Sequence, residues 1–264
     1  HLNEGRVLIR DGAERLALAR LNLRAGQLAQ RSSAYEAALR YFTVGRELLP
    51  DDAWGTDHAL TMALSTEIQQ CSYLTGRTED AERWLEVLLD HAQSPLESAE
   101  ILAMRTRQYS TTGKMEASIR SAIMGLELLG LRFAAAPDAA DVRRERAAVR
   151  RHLAGRRIAD LLHAPPLRDP RQQVAIRLLM EIFPAAFLSG SGHLFPYLVL
   201  RAVNLSLKHG NGPESAFAYA AYAMLLCGVL DDPAQGWEFG QLAVRMNDEL
   251  DDIALKSRVL YLNT

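Results

Sequence analysis

Apolar residues recur along this chain three or four positions apart, and charged or small residues fill the positions between them. We find no convincing run of alternating β-branched residues bounded by turns, so the pattern argues against strands. It predicts an all-α protein built from helices of about 14 to 20 residues joined by short turns. The predicted spans are 13–31, 34–49, 56–75, 78–92, 96–112, 115–130, 139–163, 170–188, 193–209, 213–230, 233–248 and 251 onward.

Several predicted helices begin with a capping residue followed by proline. Residues 94–97, Ser-Pro-Leu-Glu, have the order of a capping box, with Pro95 at the first helical position. Asp169-Pro170 and Asp232-Pro233 repeat the cap-then-proline order, and Gly212-Pro213 is a weaker version of it. Each pair predicts a helix start, because proline fits the first turn and interrupts a helix anywhere later.

Three segments, 35–50, 76–95 and 113–130, align as a repeat. Their first aligned residues, Ala38, Ala81 and Ser118, lie 43 and 37 residues apart, close to the period of a tetratricopeptide-type helix pair. Two further columns complete the alignment: Phe42, Leu85 and Ala122 lie four residues after the first column, and Gly45, Leu88 and Gly125 lie seven residues after it. Late in the chain, residues 236, 240 and 243 have the same offsets of four and seven.

Gly26 indicates how the first pair packs. Glycine inside a helix costs about 1 kcal/mol relative to alanine, so a close contact should compensate. In the tetratricopeptide pattern, Gly26 and Ala38 are small because the two helices of a pair cross there. Phe42 then inserts between neighbouring helices, Gly45 receives the next repeat, and Pro50 ends the second helix.

These features together predict a right-handed α-solenoid of tetratricopeptide-like helix pairs. The second and third repeats fit less well, because Gln69 and Thr106 occupy the position of Gly26. An antiparallel helical bundle is the alternative, since alanine seven residues apart is common in bundles as well. We expect three parts: N-terminal repeats over 1–135, a basic helix with a proline-rich connector over 136–168, and C-terminal repeats over 169–264.

The middle part is distinguished by the arginine-rich stretch DVRRERAAVRRHLAGRR, residues 141–157. On a helix its apolar residues form a strip beside a basic face. That face is either a solvated surface or a contact for an acidic partner or domain, with nucleic acid a remote third interpretation. The arginines of the predicted acidic-partner contact are Arg143, Arg146, Arg150 and Arg157.

Composition and charge exclude several classes of protein. The 264 residues are 48% apolar and 23% charged with a formal net charge of −2, so nothing favours nucleic acid or an anionic membrane as partner. The longest uncharged apolar run, 217–230, is shorter than the roughly 20 residues that cross a bilayer. We therefore expect a cytoplasmic protein, with Cys71 and Cys227 as buried thiols in a reducing compartment. The missing initial Met and an apolar helical pattern up to Thr264 suggest a piece of a longer polypeptide.

The stretches that resemble catalytic motifs lack residues that those motifs require. Residues 112–115, Thr-Gly-Lys-Met, lack the glycine and the hydroxyl residue that a phosphate loop requires. Residues 189–193, Ser-Gly-Ser-Gly-His, lack the spacing of a nucleophile elbow and read as a flexible turn. The aspartate pairs 51–52, 231–232 and 251–252 lie at predicted helix starts, where the helix dipole favours negative charge. We expect no catalytic residue, no cofactor and no bound metal.

Several stretches together resemble one family across almost the whole chain. They are HLN at the start, then AERLALARLNLRAGQLAQRSSAYEAALRYFTVGRELLPDDAW, IADLLHAPPLRDP and LVLRAVNLSLKHGNGPESAFAYAAYAMLLCG. They resemble the helical-repeat region of very large bacterial signalling proteins. Those proteins join a Ser/Thr protein kinase domain, an AAA/STAND-type ATPase, this repeat region, a GAF sensor domain and often a histidine kinase.

The resemblance implies that phosphate-transfer chemistry belongs to other parts of the polypeptide, because no catalytic residue of the family maps onto this chain. It implies a non-catalytic scaffold that binds a protein or peptide, or relays signals between adjacent domains. The repeat register predicts a concave binding wall from the first helix of each pair. Its residues are Leu23, Gln27, Gln30 and Arg31, then Thr66, Gln70 and Tyr73, then Arg107 and Ser110.

The alternative function is the sensing of a small-molecule effector by the C-terminal repeats. Tyr197, Tyr219 and Tyr222 near Asn204 are the candidate lining. The other interpretation, which their size and apolar rings favour, is that these residues belong to the hydrophobic core.

Overall fold

A computed structural model describes residues 3–250, 259, 260 and 262. These residues form thirteen α-helices and two short 3-10 helices, and this part of the chain contains no β-strand. The protein is therefore all-α, as the apolar periodicity predicts. The predicted helix from 251 onward begins outside the described residues, and the pair Asp251-Asp252 also lies there. Within the described part, no helix has both the length and the apolar character that spanning a membrane demands.

The chain divides into two compact units, His1–Gln93 and Ser94–Thr264. The first contains a 3-10 helix, Glu4–Leu8, and five α-helices: α1 (Gly12–Arg31), α2 (Tyr35–Glu47), α3 (Ala53–Thr56), α4 (His58–Leu74) and α5 (Thr78–His91). The second contains α6 (Pro95–Thr111), α7 (Met115–Leu128), α8 (Ala139–Leu153), a 3-10 helix (Ile158–His163), α9 (Pro170–Glu181), α10 (Phe183–Leu188), α11 (Leu194–His209), α12 (Pro213–Gly228) and α13 (Pro233–Leu250).

The predicted caps form. The Ser94 hydroxyl accepts a hydrogen bond from the backbone N–H of Glu97 at 3.1 Å, which starts α6. The carboxylates of Asp169 and Asp232 accept from backbone N–H groups in the first turns of α9 and α13, at 2.9 and 3.2 Å. These bonds satisfy N–H groups that have no partner inside the helix.

Two predicted helices are interrupted. The span 139–163 ends at Leu153, because Gly155 adopts φ +75°, and a separate 3-10 helix follows. The span 170–188 breaks at Ile182, two residues before Pro184, which has no N–H to continue the helix. The sequence predicts a separate middle part over 136–168. In the structure the chain divides after Gln93, and the basic helix α8 lies inside the second unit.

Three helical hairpins, α1–α2, α4–α5 and α6–α7, close with the same turn. In each hairpin, the second residue after the end of the first helix adopts the left-handed conformation, with φ of 58°, 79° and 77°. Glycine supplies that conformation in two of the hairpins and serine in the first. The next N–H then bonds to the carbonyl five residues earlier, as in a Schellman motif. The left-handed residues are Ser33, Gly76 and Gly113, and the N–H to carbonyl bonds are Ala34 to Ala29 (2.9 Å), Arg77 to Ser72 (2.8 Å) and Lys114 to Tyr109 (2.9 Å).

Small residues let the helices of the first unit approach closely. Gly26 faces the fully buried ring of Phe42, so that a Cβ built on Gly26 would lie 2.3 Å from Cε1 of that ring. A Cβ on Gly45 would lie 2.8 Å from Leu64 of α4 and 3.3 Å from the carbonyl oxygen of Ala19 in α1. Gly45 therefore lies where α2 meets both α1 and α4.

The core of the second unit is formed around α9, α11 and α12. Gly125 of α7 lies against Leu178 of α9, where an added Cβ would come within 2.8 Å. Helix α12 is buried on all sides over most of its length, since Ala216, Ala218 and Ala220 are fully buried. Its small side chains let neighbouring helices approach on more than one face.

Candidate functional site

A cavity in the described part of the second unit has a volume of about 770 Å³. This volume falls within the range of small-molecule sites, which are typically mostly apolar with a few polar groups. Its wall is formed by residues of α6, α9, α10 and α12. The lining residues are Ser110, Thr111, Met180, Glu181, Phe183, Pro184, Phe187, Leu188, Phe217, Met224 and Leu262.

Phenylalanine rings form much of the apolar wall. Phe183 is the centre of the cluster, with ring centroids 5.0 Å from Phe217 and 5.2 Å from Phe195. Phe187 stacks on Phe183 at 6.2 Å and meets Phe195 edge-on at 5.4 Å. Such contacts fix ring positions, because aromatic pairs prefer offset or edge-to-face arrangements. Phe187 is nevertheless 56% exposed and its neighbour Leu188 is 67% exposed, so one side of the cavity is open.

One acidic side chain in the wall is buried. The Glu181 side chain is only 7% exposed. Arg107 of α6 donates from Nε to its Oε1 at 2.8 Å, and Nη2 of the same guanidinium forms an ion pair with Oε1 at 2.7 Å. The guanidinium offsets the cost of burying the carboxylate. Among the described residues Glu181 Oε2 has no hydrogen-bond partner, which leaves this oxygen as an acceptor beside the cavity.

Two residues of the predicted binding wall meet at this cavity. Ser110 lines it, and Arg107 holds the buried carboxylate. The other seven lie in the first unit. There Gln27 of α1 donates to Glu67 of α4 at 3.3 Å, which brings the two predicted helices side by side. In that unit Arg31 is exposed, and the half-buried residues are Leu23, Gln27, Gln30, Thr66, Gln70 and Tyr73.

The predicted basic face is only partly continuous. Arg143 and Arg150 are exposed on α8, and Arg146 is half-buried. Arg157 lies beyond the end of α8, 3.6 Å from the Asp160 carboxylate, so it does not belong to the helical face that the sequence predicts. Arg146 and Arg150 also line a small cavity of about 180 Å³, together with Tyr222 and Asp232.

A polar network fixes α8 against α11. Glu145 accepts hydrogen bonds from Arg201 at 3.2 Å and from the Asn204 side chain at 2.7 Å. His152 is half-buried, with Nδ1 3.1 Å from Asn204 Oδ1. The side-chain amide of Asn204 therefore already has hydrogen-bond partners within the protein.

The three tyrosines of the alternative effector site belong to the core. Tyr219 is fully buried, its hydroxyl donates to Asn211 at 3.1 Å, and burial raises its pKa. Tyr222 is also buried, with its ring edge-on to Phe239 and its pKa raised by burial. Tyr197 packs on Phe133 with ring centroids 5.0 Å apart. None of the three lines the 770 Å³ cavity.

Metal-binding clusters and cysteine thiols are the remaining groups that could support chemistry. The described residues contain no group of three or more His, Cys, Asp or Glu side chains placed to hold a metal ion. Cys71 is buried, and burial raises the pKa of its thiol to about 11. Cys227, in contrast to the expectation of a buried thiol, is exposed, because it lies in the last turn of α12.

Two stretches that carry the family resemblance meet at a backbone junction. Asn211 donates from its backbone N–H to the carbonyl of Pro165 at 2.9 Å, and its carbonyl accepts from the N–H of Leu167 at 2.8 Å. Gly210 makes this approach possible, because a Cβ there would lie 2.1 Å from the oxygen of Pro165. The proline-rich connector is thus bound to the segment between α11 and α12.

Sequence reasoning missed the cavity. Glu181 and Arg107 are 74 positions apart, and no local pattern pairs them. A signal was present in residues 181–188, Glu-Ile-Phe-Pro-Ala-Ala-Phe-Leu, where a proline interrupts an apolar helix and places large side chains on a short element. This stretch supplies five of the residues that line the cavity.

The chain is distantly similar to a much larger protein. The chain is 22% identical over 277 aligned positions to the hybrid signal transduction histidine kinase G of Dictyostelium discoideum. The alignment covers 95% of this chain and 8% of that much larger protein. No protein-family model matches the chain, and no solved structure matches it. The chain therefore corresponds to only a small part of that protein's length.

Proposed function

We propose that this chain is a non-enzymatic helical-repeat region of a multidomain signalling protein, where it binds a protein or peptide or relays signals between neighbouring domains. One observation carries the proposal: 95% of the chain aligns with a segment that makes up 8% of a signal transduction histidine kinase. We infer that a segment of this kind acts together with the domains around it.

Repetition within the fold supports a tetratricopeptide-like solenoid. The left-handed residues Ser33, Gly76 and Gly113 recur at spacings of 43 and 37 residues, the same as those of the small-residue columns. Gly45 and Gly125 occupy one column, and each receives a leucine from a further helix of its own unit. We assign these hairpins to successive repeats of a right-handed α-solenoid.

The partner surface in the first unit includes the side chains of Gln27, Gln30 and Arg31. The amides and the guanidinium are suited to a peptide with acidic or polar side chains. The exposed Arg143 and Arg150 of α8 offer a second contact for an acidic domain.

The first experiment is to read the gene around this segment and express its neighbouring domains separately. We expect kinase and ATPase motifs in the flanking sequence, and binding of at least one purified flanking domain in isothermal titration calorimetry. Arg31→Glu or the double variant Arg143→Glu, Arg150→Glu should weaken binding about tenfold or more. Arg120→Glu, which reverses an exposed arginine outside both surfaces, is the matched control.

An enzymatic role is tested directly. The purified chain should show no ATP hydrolysis or phosphoryl transfer above the background of a mock purification. Turnover that survives further purification, or flanking domains that all fail to bind, would contradict the proposed function.

A further inference from the structure

We propose that the 770 Å³ cavity of the second unit binds a small, largely apolar, uncharged molecule that donates a hydrogen bond from an N–H or O–H group to Glu181. The site is distinct from the surfaces assigned to protein partners in the first unit and on α8. It lies among α6, α9, α10 and α12.

The apolar wall determines the body of the ligand. Phe183, Phe187 and Phe217 present rings to the cavity, and Met180 and Met224 add flexible side chains. A ligand of one or two aromatic rings would pack on these faces and remove apolar surface from water. The 56% and 67% exposures of Phe187 and Leu188 provide the driving force, because a bound molecule would cover them.

The buried carboxylate determines the polar group of the ligand. Both contacts of Arg107, the hydrogen bond from Nε and the ion pair with Nη2, are made to Glu181 Oε1, and Oε2 has no hydrogen-bond partner among the described residues. An acceptor in a largely buried carboxylate is satisfied by a donor from the ligand.

Charge then selects an uncharged donor. Arg107 already neutralises Glu181, so a cationic ligand would leave an uncompensated positive charge in an apolar site. An anionic ligand would be repelled by the carboxylate oxygen. A hydroxyl or a neutral N–H satisfies Oε2 without either cost.

The probe that fits these requirements is N-phenyl-1-naphthylamine, an uncharged diarylamine whose fluorescence rises in apolar surroundings. We expect saturable binding to the purified 264-residue chain. The matched hydrocarbon 1-benzylnaphthalene has CH2 in place of the bridging N–H, and it should compete about tenfold more weakly or worse because it leaves Oε2 unsatisfied.

Two variants test the location. Ser110→Trp places an indole at the lining of the cavity and should weaken probe binding at least tenfold. Glu100→Trp adds the same side chain to an exposed position of α6 outside the cavity and should leave binding unchanged. Glu181→Gln, checked for folding by circular dichroism, should reduce the preference for the amine over the hydrocarbon.

Several outcomes would overturn the proposal. They are the absence of saturable binding, equal binding of the amine and the hydrocarbon, tighter binding of protonated 1-naphthylmethylamine, or equal effects of the two tryptophan variants. A dimer in sedimentation that Ser110→Trp dissociates, without probe binding, would instead assign the cavity to a second copy. Each result is independent of the flanking-domain titrations, so this proposal and the proposed function can fail separately.

Discussion

The ring of Phe42 lies against the backbone of Gly26, and no side chain fits between them. Cε1, Cδ1 and Cζ of the ring would lie 2.3, 2.6 and 2.7 Å from a Cβ at position 26. The ring is fully buried, so moving it aside would disturb the closely packed interior around it. The glycine in α1 is therefore explained by packing against α2.

Gly26→Ala should destabilise the protein by about 1–3 kcal/mol, since the overpacking exceeds the gain in helix propensity of about 1 kcal/mol. Urea unfolding followed by circular dichroism measures the change. Gly12 lies at the start of the same helix, and a Cβ built there would have no neighbouring atom within 4 Å. Gly12→Ala should therefore be neutral or stabilising. In the background of Phe42→Leu the cost of Gly26→Ala should shrink, and an unchanged cost would mean that the ring is not its cause.

Gly210→Ala should be more damaging, with a cost of about 3 kcal/mol or more. The substitution combines a φ of +103° with a Cβ only 2.1 Å from the backbone oxygen of Pro165. Gly190→Ala separates the two effects, because Gly190 also has a positive φ, +66°, but no atom within 4 Å. Its cost should be about 1–2 kcal/mol. Equal unfolding free energies for the two variants would contradict the backbone clash.

Alkaline pH should destabilise the second unit through Tyr219. Burial raises the pKa of this phenol above its unfolded value near 10, so the unfolded chain loses the proton first. The stabilisation is complete below pH 10 and declines as pH rises toward the folded pKa, by roughly 1.4 kcal/mol at pH 11. Unfolding free energies at pH 9 and pH 11 measure the decline. Tyr219→Phe should reduce it, and the same decline in the variant would assign it to other groups.

The two thiols should react at very different rates. At pH 8 a thiol with a pKa of about 11 is ionised in about one molecule in a thousand, and Cys71 is also fully buried. Cys227 is exposed and should react first with Ellman's reagent. Cys227→Ser should abolish the fast phase, whereas Cys71→Ser should retain it. Two fast thiols in the folded protein would be inconsistent with this burial.

Local sequence signals predicted the helices well. Ser94 and Asp169 cap helices where the cap-then-proline order places them, and Gly26 indicates a close approach that the structure shows. These features depend on residues within a few positions, or on a missing side chain, so they can be read from one sequence. The end of α8 was missed because the arginine-rich pattern continues past Gly155.

Long-range features were not predictable in the same way. The pairing of Arg107 with Glu181 depends on how α6 packs on α9, and burial of the tyrosines depends on helices distant in sequence. Apolar periodicity shows which residues turn inward, but it does not show whether they meet a neighbouring side chain or an open cavity. Tyr219 and Phe183 are both aromatic residues in apolar helical stretches, yet only Phe183 lines the cavity.

The junction of Asn211 with Pro165 and Leu167 has a mechanical consequence. Glu145 joins the basic helix α8 to α11, and the connector after α8 is bonded to Asn211 between α11 and α12. Tension that a partner applies to the arginines of α8 would therefore be transmitted directly to α11 and to the start of α12.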